Sequence, residues 1–196
     1  MTRRRAQKGA SRRRILRSAG RLMRQRGIAR SSVQEIMRAS GLTVGAFYAH
    51  FRSKDDLLLT AIREGGGEMW RRELEASRGL PRAARREALV GAYLSRQHRD
   101  RAADGCMLPA AVGEIARAGS SYRAALARSV EGLGQGVAAL CGREAGDQED
   151  ALAVIALMYG GLSLSRGLGP TPLSDELLES CRRAARALLR RRRARG

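Results

Sequence analysis

Residues 32–54, SVQEIMRASGLTVGAFYAHFRSK, constrain the fold more than any other stretch of the chain. Ser32 is a favourable N-cap, and Glu35 three residues later completes a capping box, so a helix is predicted to begin here. Gly41 tolerates the left-handed conformation that ends many helices. Thr43 then provides the N-cap of a second short helix. Two short helices joined by a glycine turn predict a helix-turn-helix motif.

The second helix of this motif divides into an inner and an outer face. Phe47 and Phe51 are four residues apart and are predicted to fill a small core. The first residues of such a helix face base edges in the major groove, which makes Val44, Gly45 and Ala46 the candidates for direct readout. All three are small and apolar, so the contacts open to them are thymine methyl groups and close backbone approach.

The segment GLTVGAFYAHFRSKDDLLLTAI resembles the recognition-helix signature of the TetR family of bacterial transcriptional regulators. The resemblance covers the first third of the chain, and the remainder is similar to the family only in length and helical pattern. It implies an all-α fold of about nine helices, with an N-terminal three-helix helix-turn-helix DNA-binding domain and a C-terminal helical domain for ligand binding and dimerisation.

The resemblance also implies functional residues. The family tyrosine, histidine and lysine that match Tyr48, His50 and Lys54 contact phosphates. Many members carry lysine where this chain has Val44, which shifts the expected recognition towards phosphate contacts and DNA shape. The hydroxyls and amides of Ser32 and Thr43, at the starts of the two helices, are expected to bind phosphates as well. The predicted DNA-binding residues are Ser32, Thr43, Val44, Gly45, Ala46, Tyr48, Ala49, His50 and Lys54.

The charge of the chain points to a polyanionic partner. Lys and Arg number 38 against 19 Asp and Glu, a net charge of +19. Up to Lys54 the only acidic residue is Glu35, so the polyanion is expected to meet the N-terminal segment. Nearly all the basic residues are arginines, which a GC-rich genome would also produce. Double-stranded DNA with a palindromic operator is the predicted partner.

Four parts of the chain are predicted from composition and pattern. Residues 1–10 form a flexible basic arm, which either follows phosphates and the minor groove or is a solvated tail. Residues 11–56 form the DNA-binding domain, with a first helix from Ser11 to about Arg26. Residues 57–193 form the ligand-binding and dimerisation domain, and 194–196 a tail. The glycines at 65–67 predict either a bend or a helix that ends and restarts.

The last two predicted helices resemble the dimerisation pair of the family. One runs over 147–168 and is the most apolar helix, and the other is capped by Ser174 with Asp175. Two copies of this pair would form a four-helix bundle about a two-fold axis. The apolar run at 151–164 is too short for a membrane span and reads as a buried helix.

A candidate sensing site begins at Gly105 and Cys106. The pattern Gly-Cys-Met-Leu resembles a subgroup in which Gly-Cys opens the helix that lines the ligand pocket. One member of that subgroup represses an N-ethylmaleimide reductase and senses electrophiles through the matching cysteine. A thiol at a helix N-terminus gains thiolate character, although free cysteine more often packs as a small hydrophobe. Residues predicted to bind or sense an effector are Trp70, Tyr93, Cys106, Met107, Leu108, Val112, Tyr122 and Tyr159.

The leading interpretation is a homodimeric repressor that a small-molecule or electrophile effector releases from its operator. The alternatives are a thiol-based sensor that acts through Cys106 without a reversible ligand, and a non-specific architectural DNA-binding protein. An enzyme that uses Cys106 with His98 is disfavoured, because no third orienting group is evident and His98 reads as a solvated helix residue. No metal or cofactor site is expected. Three cysteines and no apolar leader favour a reducing cytoplasm, and the family resemblance implies a bacterial one.

Overall fold

The computed structural model describes residues 3–65, 67–141 and 148–190. In these ranges the chain is helical and contains no strand, which confirms the all-α fold. Within these described ranges, nine of the α-helices have seven residues or more. The α-helices are α1 Arg3–Arg26, α2 Val33–Ala39, α3 Lys54–Gly65, α4 Glu68–Ala76, α5 Arg82–Tyr93, α6 Arg96–Asp100, α7 Leu108–Ile115, α8 Ser120–Cys141, α9 Gln148–Leu168 and α10 Pro172–Arg190; the 3₁₀ segments are Val44–Ala49 and Ala102–Asp104.

The helices divide into two compact units. The first unit comprises Met1–Gly66 and Cys106–Leu126, and the second comprises Gly67–Gly105 and Ala127–Gly196. α3 ends at Gly65 and α4 begins at Glu68, so of the two readings of the glycine run, a helix end and restart is the one observed. α7 and the start of α8 therefore belong to the same unit as the helix-turn-helix motif.

The first unit is built around one apolar core. α1 contributes its inner face and the 3₁₀ segment contributes Phe47, while α7 and the start of α8, from the middle of the sequence, complete the core. The buried side chains of this core are Ile15, Ala19, Leu22, Met23, Ile28, Ile36, Met37, Phe47, Phe51, Leu57, Leu58, Ala61, Ile62, Met107, Ala111, Ile115, Tyr122 and Ala125.

α1 begins well before its predicted start. The prediction placed a flexible arm at 1–10 and a helix from Ser11, whereas residues 3–10 are helical and continuous with the rest of α1. Ser11 lies inside the helix, where its hydroxyl donates to the carbonyl of Gln7 at 3.1 Å instead of capping a new N-terminus. Arginine, alanine, glutamine and lysine all favour helix, and Gly9 alone does not interrupt it.

Two helix boundaries of the second unit also differ from the prediction. The apolar pattern of residues 82–99 predicts a single helix, but the helix ends at Tyr93, and Ser95 caps α6 by accepting a hydrogen bond from the amide of His98 at 3.0 Å. At α10 the cap is Thr171, whose hydroxyl accepts from the amide of Ser174 at 3.3 Å. Ser174 is fully buried and does not act as the cap.

α9 packs against α10 at close range and leaves its opposite face open. An ideal Cβ on Gly161 would lie 2.7 Å from the Cys181 sulfur, so only glycine permits this approach. On the open face, Leu152, Leu164 and Leu168 are 42%, 62% and 40% exposed. Residues 149–168 of α9 are long and apolar enough to cross a membrane by length and composition, with a mean hydropathy of 1.5. The core helix of a soluble protein meets the same criteria.

Candidate nucleic-acid interface

The capping box predicted at the start of α2 is confirmed. The Ser32 hydroxyl accepts from the Glu35 amide at 3.2 Å and donates to the Glu35 carboxylate at 2.8 Å. Arg26 donates to the same carboxylate at 2.8 Å. The hydrogen bonds from Ser32, with Arg26 adding to them, hold the pKa of Glu35 below its ordinary value. The entry of the chain into α2 is therefore fixed by a charged side chain.

The turn between α2 and the 3₁₀ segment depends on Gly41. Its φ of +64° is the left-handed conformation expected of the helix stop. The amide of Leu42 donates to the carbonyl of Met37 at 3.0 Å, which returns the chain onto α2. Arg14 of α1 donates to the Ser40 carbonyl at 2.6 Å, so α1 also secures the turn.

Residues Val44–Ala49 form a 3₁₀ segment where the prediction placed a second short helix; we refer to it as the recognition segment. Thr43 occupies the N-cap position with extended backbone, but within the described residues its side chain makes no capping hydrogen bond. Phe47 and Phe51 are buried as predicted, with ring centroids 5.8 Å apart. Tyr48 is 72% exposed and its ring stands edge-on to Phe47.

The exposed face of the recognition segment carries most of the predicted DNA-binding residues. Val44 is 43% exposed, and an added Cβ on Gly45 would meet no described atom within 4 Å. Lys54 is half-buried and donates through Nζ to the Ala29 carbonyl at 3.3 Å. The others lie nearby in sequence: Thr43 and Ala49 are exposed, and Ser32, Ala46 and His50 are half-buried.

Two basic residues of α1 lie beside the end of the recognition segment. Burial lowers the pKa of His50, and the positive charges of Lys8 and Arg12 lower it further. The Arg12 guanidinium lies over the Phe51 ring, 5.6 Å from its centroid, and pairs with Glu64 at 3.0 Å. Within the described part of the chain, His50 Nδ1 is buried without a hydrogen-bond partner. The sequence does not predict that Lys8 lies near His50, because residues 1–10 are expected to form a flexible arm.

Glu114 of α7 is a further residue of this unit that sequence reasoning missed. Its two carboxylate oxygens accept from the amides of Ile28 and Ala29 at 3.0 and 2.7 Å. Gly27, which ends α1, has φ of +84° and lies directly against this carboxylate. The partners are more than eighty positions apart, and no local pattern in the sequence indicates such a pairing.

The predicted effector residues are divided between the two units. Cys106, Met107, Leu108, Val112 and Tyr122 belong to the first unit, and Trp70, Tyr93 and Tyr159 to the second. Cys106 is only 2% exposed and precedes α7, which begins at Leu108, so it does not open the helix itself.

The aromatic residues of these two groups have separate surroundings. The Tyr122 hydroxyl donates to Asp55 at 2.8 Å, and burial raises the pKa of Tyr122. In the second unit the rings of Trp70 and Tyr93 are 5.3 Å apart. That unit also contains a cavity of about 390 Å³ lined by none of the predicted residues; its lining is Ala83, Arg86, Glu87, Arg186, Leu189 and Arg190.

His98 is buried, and the prediction that it is solvated is wrong. It is 6% exposed, its Nδ1 lies 2.7 Å from the Tyr93 carbonyl, and its ring stands edge-on to the Tyr93 ring. Burial lowers the pKa of His98 to about 4. The neighbouring Arg99 is also buried and pairs with Asp100 at 2.7 Å and Asp175 at 2.9 Å.

The fold and this surface define a helix-turn-helix DNA-binding transcriptional regulator. Residues 15–61 match the sequence profile of the family described as bacterial regulatory proteins, tetR family. Residues 15–61 therefore form a DNA-binding domain of this family. The uncharacterized HTH-type transcriptional regulator YerO of Bacillus subtilis (strain 168) is 46% identical over 48 residues. The match spans 24% of this chain and 17% of that relative, so it covers less than a fifth of the relative's length.

Solved structures resemble the chain over most of its length. The reduced form of NemR from Escherichia coli superposes with a TM-score of 0.75 at 18% identity, covering 90% of this chain and 95% of that one. A TetR-family regulator from Cytophaga hutchinsonii gives 0.76 at 16% identity, covering 93% and 94%. Another from Streptomyces coelicolor gives 0.69 at 23% identity, covering 92% and 94%. At these identities the likeness establishes the fold.

Proposed function

We propose that this regulator is a homodimeric repressor that binds a palindromic operator and leaves it when an effector binds. The proposal rests on one observation: the recognition segment has a buried side and a side that is open to solvent. Phe47 and Phe51 anchor it in the core, while Val44, Gly45 and Tyr48 remain open to solvent. A rigid segment with an open outer face is what groove binding requires.

The open residues suit two kinds of DNA contact. Val44, Gly45 and Ala46 offer apolar contact with thymine methyl groups and close backbone approach, without a bidentate hydrogen bond to guanine. Tyr48 and Lys54 offer phosphate contacts, together with Thr43, Ala49 and His50 around them. The Ser32 hydroxyl is already engaged with Glu35, so a phosphate contact there competes with the cap.

The open face of α9 supports dimerisation through α9 and α10. Leu152, Leu164 and Leu168 of α9 are exposed, with Leu164 and Leu168 one turn apart, and Gly160 one turn before Leu164 leaves room for close approach. Exposed apolar side chains of this kind are costly in water and are covered when a second copy packs against them. A two-fold dimer places two recognition segments about one DNA turn, roughly 34 Å, apart.

Effector release has two candidate routes. A reversible apolar ligand would contact some of Trp70, Tyr93, Met107, Leu108, Val112, Tyr122 and Tyr159. The second route is modification of the Cys106 thiol, which the buried position of Cys106 limits to moments of local opening. Both routes act by favouring a dimer spacing that no longer fits the operator, in proportion to the differential affinity of the effector.

Fluorescence anisotropy with the duplex upstream of the gene tests the proposal. At 200 mM salt we expect binding to this duplex to persist against excess unrelated DNA. Equal binding to both duplexes would instead identify a non-specific architectural protein, whose affinity falls about 10³-fold or more between 50 and 200 mM salt. Repetition with Cys106→Ser and a thiol-reactive quinone separates the routes, since only the thiol route requires the cysteine.

A further inference from the structure

We infer that Glu114 is a positioning residue for DNA binding, which fixes the turn at residues 27–31 and through it the ammonium of Lys54. This inference rests on the proposed operator binding. Glu114 lies in α7, outside the helix-turn-helix motif, and no sequence motif predicts the contacts that it makes. Its role follows from the hydrogen bonds around one turn of the first unit.

The last helical hydrogen bond before the turn runs from the Gly27 amide to the Met23 carbonyl at 2.9 Å. α1 ends at Arg26, and Gly27 in the left-handed conformation turns the chain away from the helix axis. The next two amides, of Ile28 and Ala29, both donate to the carboxylate of Glu114. A carboxylate that accepts from two adjacent amides holds both in one orientation, and charge-assisted bonds of this kind are stronger than neutral ones.

The other side of the same turn holds Lys54. The carbonyl of Ala29 accepts from Lys54 Nζ at 3.3 Å, and the hydroxyl of Ser31 donates to the Gly27 carbonyl at 2.7 Å. An ammonium has three donors, so the bond to Ala29 leaves two for a phosphate. One residue, Ala29, thus joins the carboxylate of Glu114 in α7 to Lys54, which is predicted to meet DNA.

The direction of the change in DNA affinity distinguishes a positioning role of Glu114 from an effect of its charge alone. Glu114→Gln removes a negative charge and by charge alone would strengthen DNA binding. Its amide can accept from only one of the two backbone donors, so the turn and Lys54 lose their fixed position. One phosphate contact is worth about 0.9 in the slope of log K against log salt, which corresponds to about eightfold in affinity at 0.1 M salt for each protomer.

The experiment compares four proteins by anisotropy over a salt series: wild type, Glu114→Gln, Lys54→Gln and the double variant. Glu131→Gln is the matched control, because Glu131 is an exposed residue of α8 and loses the same charge. We expect Glu114→Gln to bind more weakly with a shallower salt slope, Glu131→Gln not to weaken binding, and the double variant to bind like Lys54→Gln alone. Amide hydrogen exchange at Ile28 and Ala29 should accelerate in Glu114→Gln.

Two results would overturn the inference. Faster amide exchange in Glu114→Gln with unchanged affinity and salt slope would reduce Glu114 to a structural cap. Additive losses in the double variant would show that Glu114 does not act through Lys54. Failure of the proposed function looks different: wild type would then show no operator preference, while the salt slope on any duplex would still report the effect of Glu114 on phosphate contact.

Discussion

Gly27 lies so close to the carboxylate of Glu114 that a side chain cannot be added at this position. An ideal Cβ would overlap Oε1 and approach Cδ to 2.9 Å. The φ of +84° independently disfavours any residue other than glycine. Both restrictions act on the turn that receives Lys54.

Gly27→Ala is therefore expected to destabilise the protein by about 2 to 4 kcal/mol, the sum of left-handed strain and steric overlap. Gly113→Ala on α7 is the matched control, since an added Cβ there meets no described atom within 4 Å. Alanine should favour that helix by about 1 kcal/mol. Urea unfolding measures both variants. Equal stability of the two would contradict the geometry of the Gly27 turn.

Val44→Lys is expected to strengthen DNA binding and weaken its sequence dependence. The position is exposed, so lysine can reach a phosphate without disturbing the core. An added phosphate contact should steepen the slope of log K against log salt by about 0.9 per protomer. Anisotropy on operator and unrelated duplexes measures the change. An unchanged slope would place residue 44 away from the DNA.

Leu164→Glu is expected to separate the proposed dimer. Leu164 is 62% exposed on the open face of α9, and a charge there cannot be buried against a second copy. Leu80→Glu is the control, because Leu80 is also exposed, at 49%, but lies between α4 and α5. Sedimentation equilibrium should give the monomer mass only for Leu164→Glu. A dimer that persists would move the subunit interface elsewhere.

The burial of His98 predicts an acid-sensitive second unit. Its pKa falls from 6.5 in the unfolded chain to about 4 in the fold, so between these values only the unfolded chain binds the proton. The contribution of His98 is complete above pH 6.5 and declines by about 3 kcal/mol as the pH falls to 4.

Unfolding by urea at several pH values measures this decline. In His98→Gln the dependence of stability on pH between 4 and 6.5 should be shallower by that amount, whatever the overall stability of the variant. His50→Gln removes the other histidine and serves as the comparison. An unchanged pH profile in His98→Gln would show that His98 does not cause the acid sensitivity. Carboxylates such as Asp175, whose pKa is lowered by Arg96 and Arg99, lose their contribution only below about pH 4.

The helix-turn-helix core was predictable because its determinants are local. The Ser32 and Glu35 capping box, the left-handed Gly41 that ends α2, and the four-residue spacing of the buried Phe47 and Phe51 are each visible within a few residues of sequence. Ser53 likewise accepts from the amide of Asp56 at the start of α3, as its position before an acidic first turn predicts.

The wrong predictions have two causes: neighbouring residues that compete for the same capping position, and contacts between residues far apart in sequence. Serine is a favoured N-cap residue, yet Ser11 lies inside α1, and at α10 the cap is Thr171 instead of Ser174. The burial of His98 and the bonds of Glu114 depend on elements far away in sequence. Periodicity reports which face of a helix is apolar, but it does not report which distant element covers a polar residue.

The exposed leucines of α9 have a consequence for how this protein must be handled. Where such a face is covered only by association, the law of mass action ties folding to concentration. Thermal midpoints measured at micromolar and at nanomolar protein then describe different equilibria, and dilution alone favours dissociation. For the proposed dimer, a low copy number would likewise favour separate protomers, and an operator that binds two protomers at once would favour the assembled form.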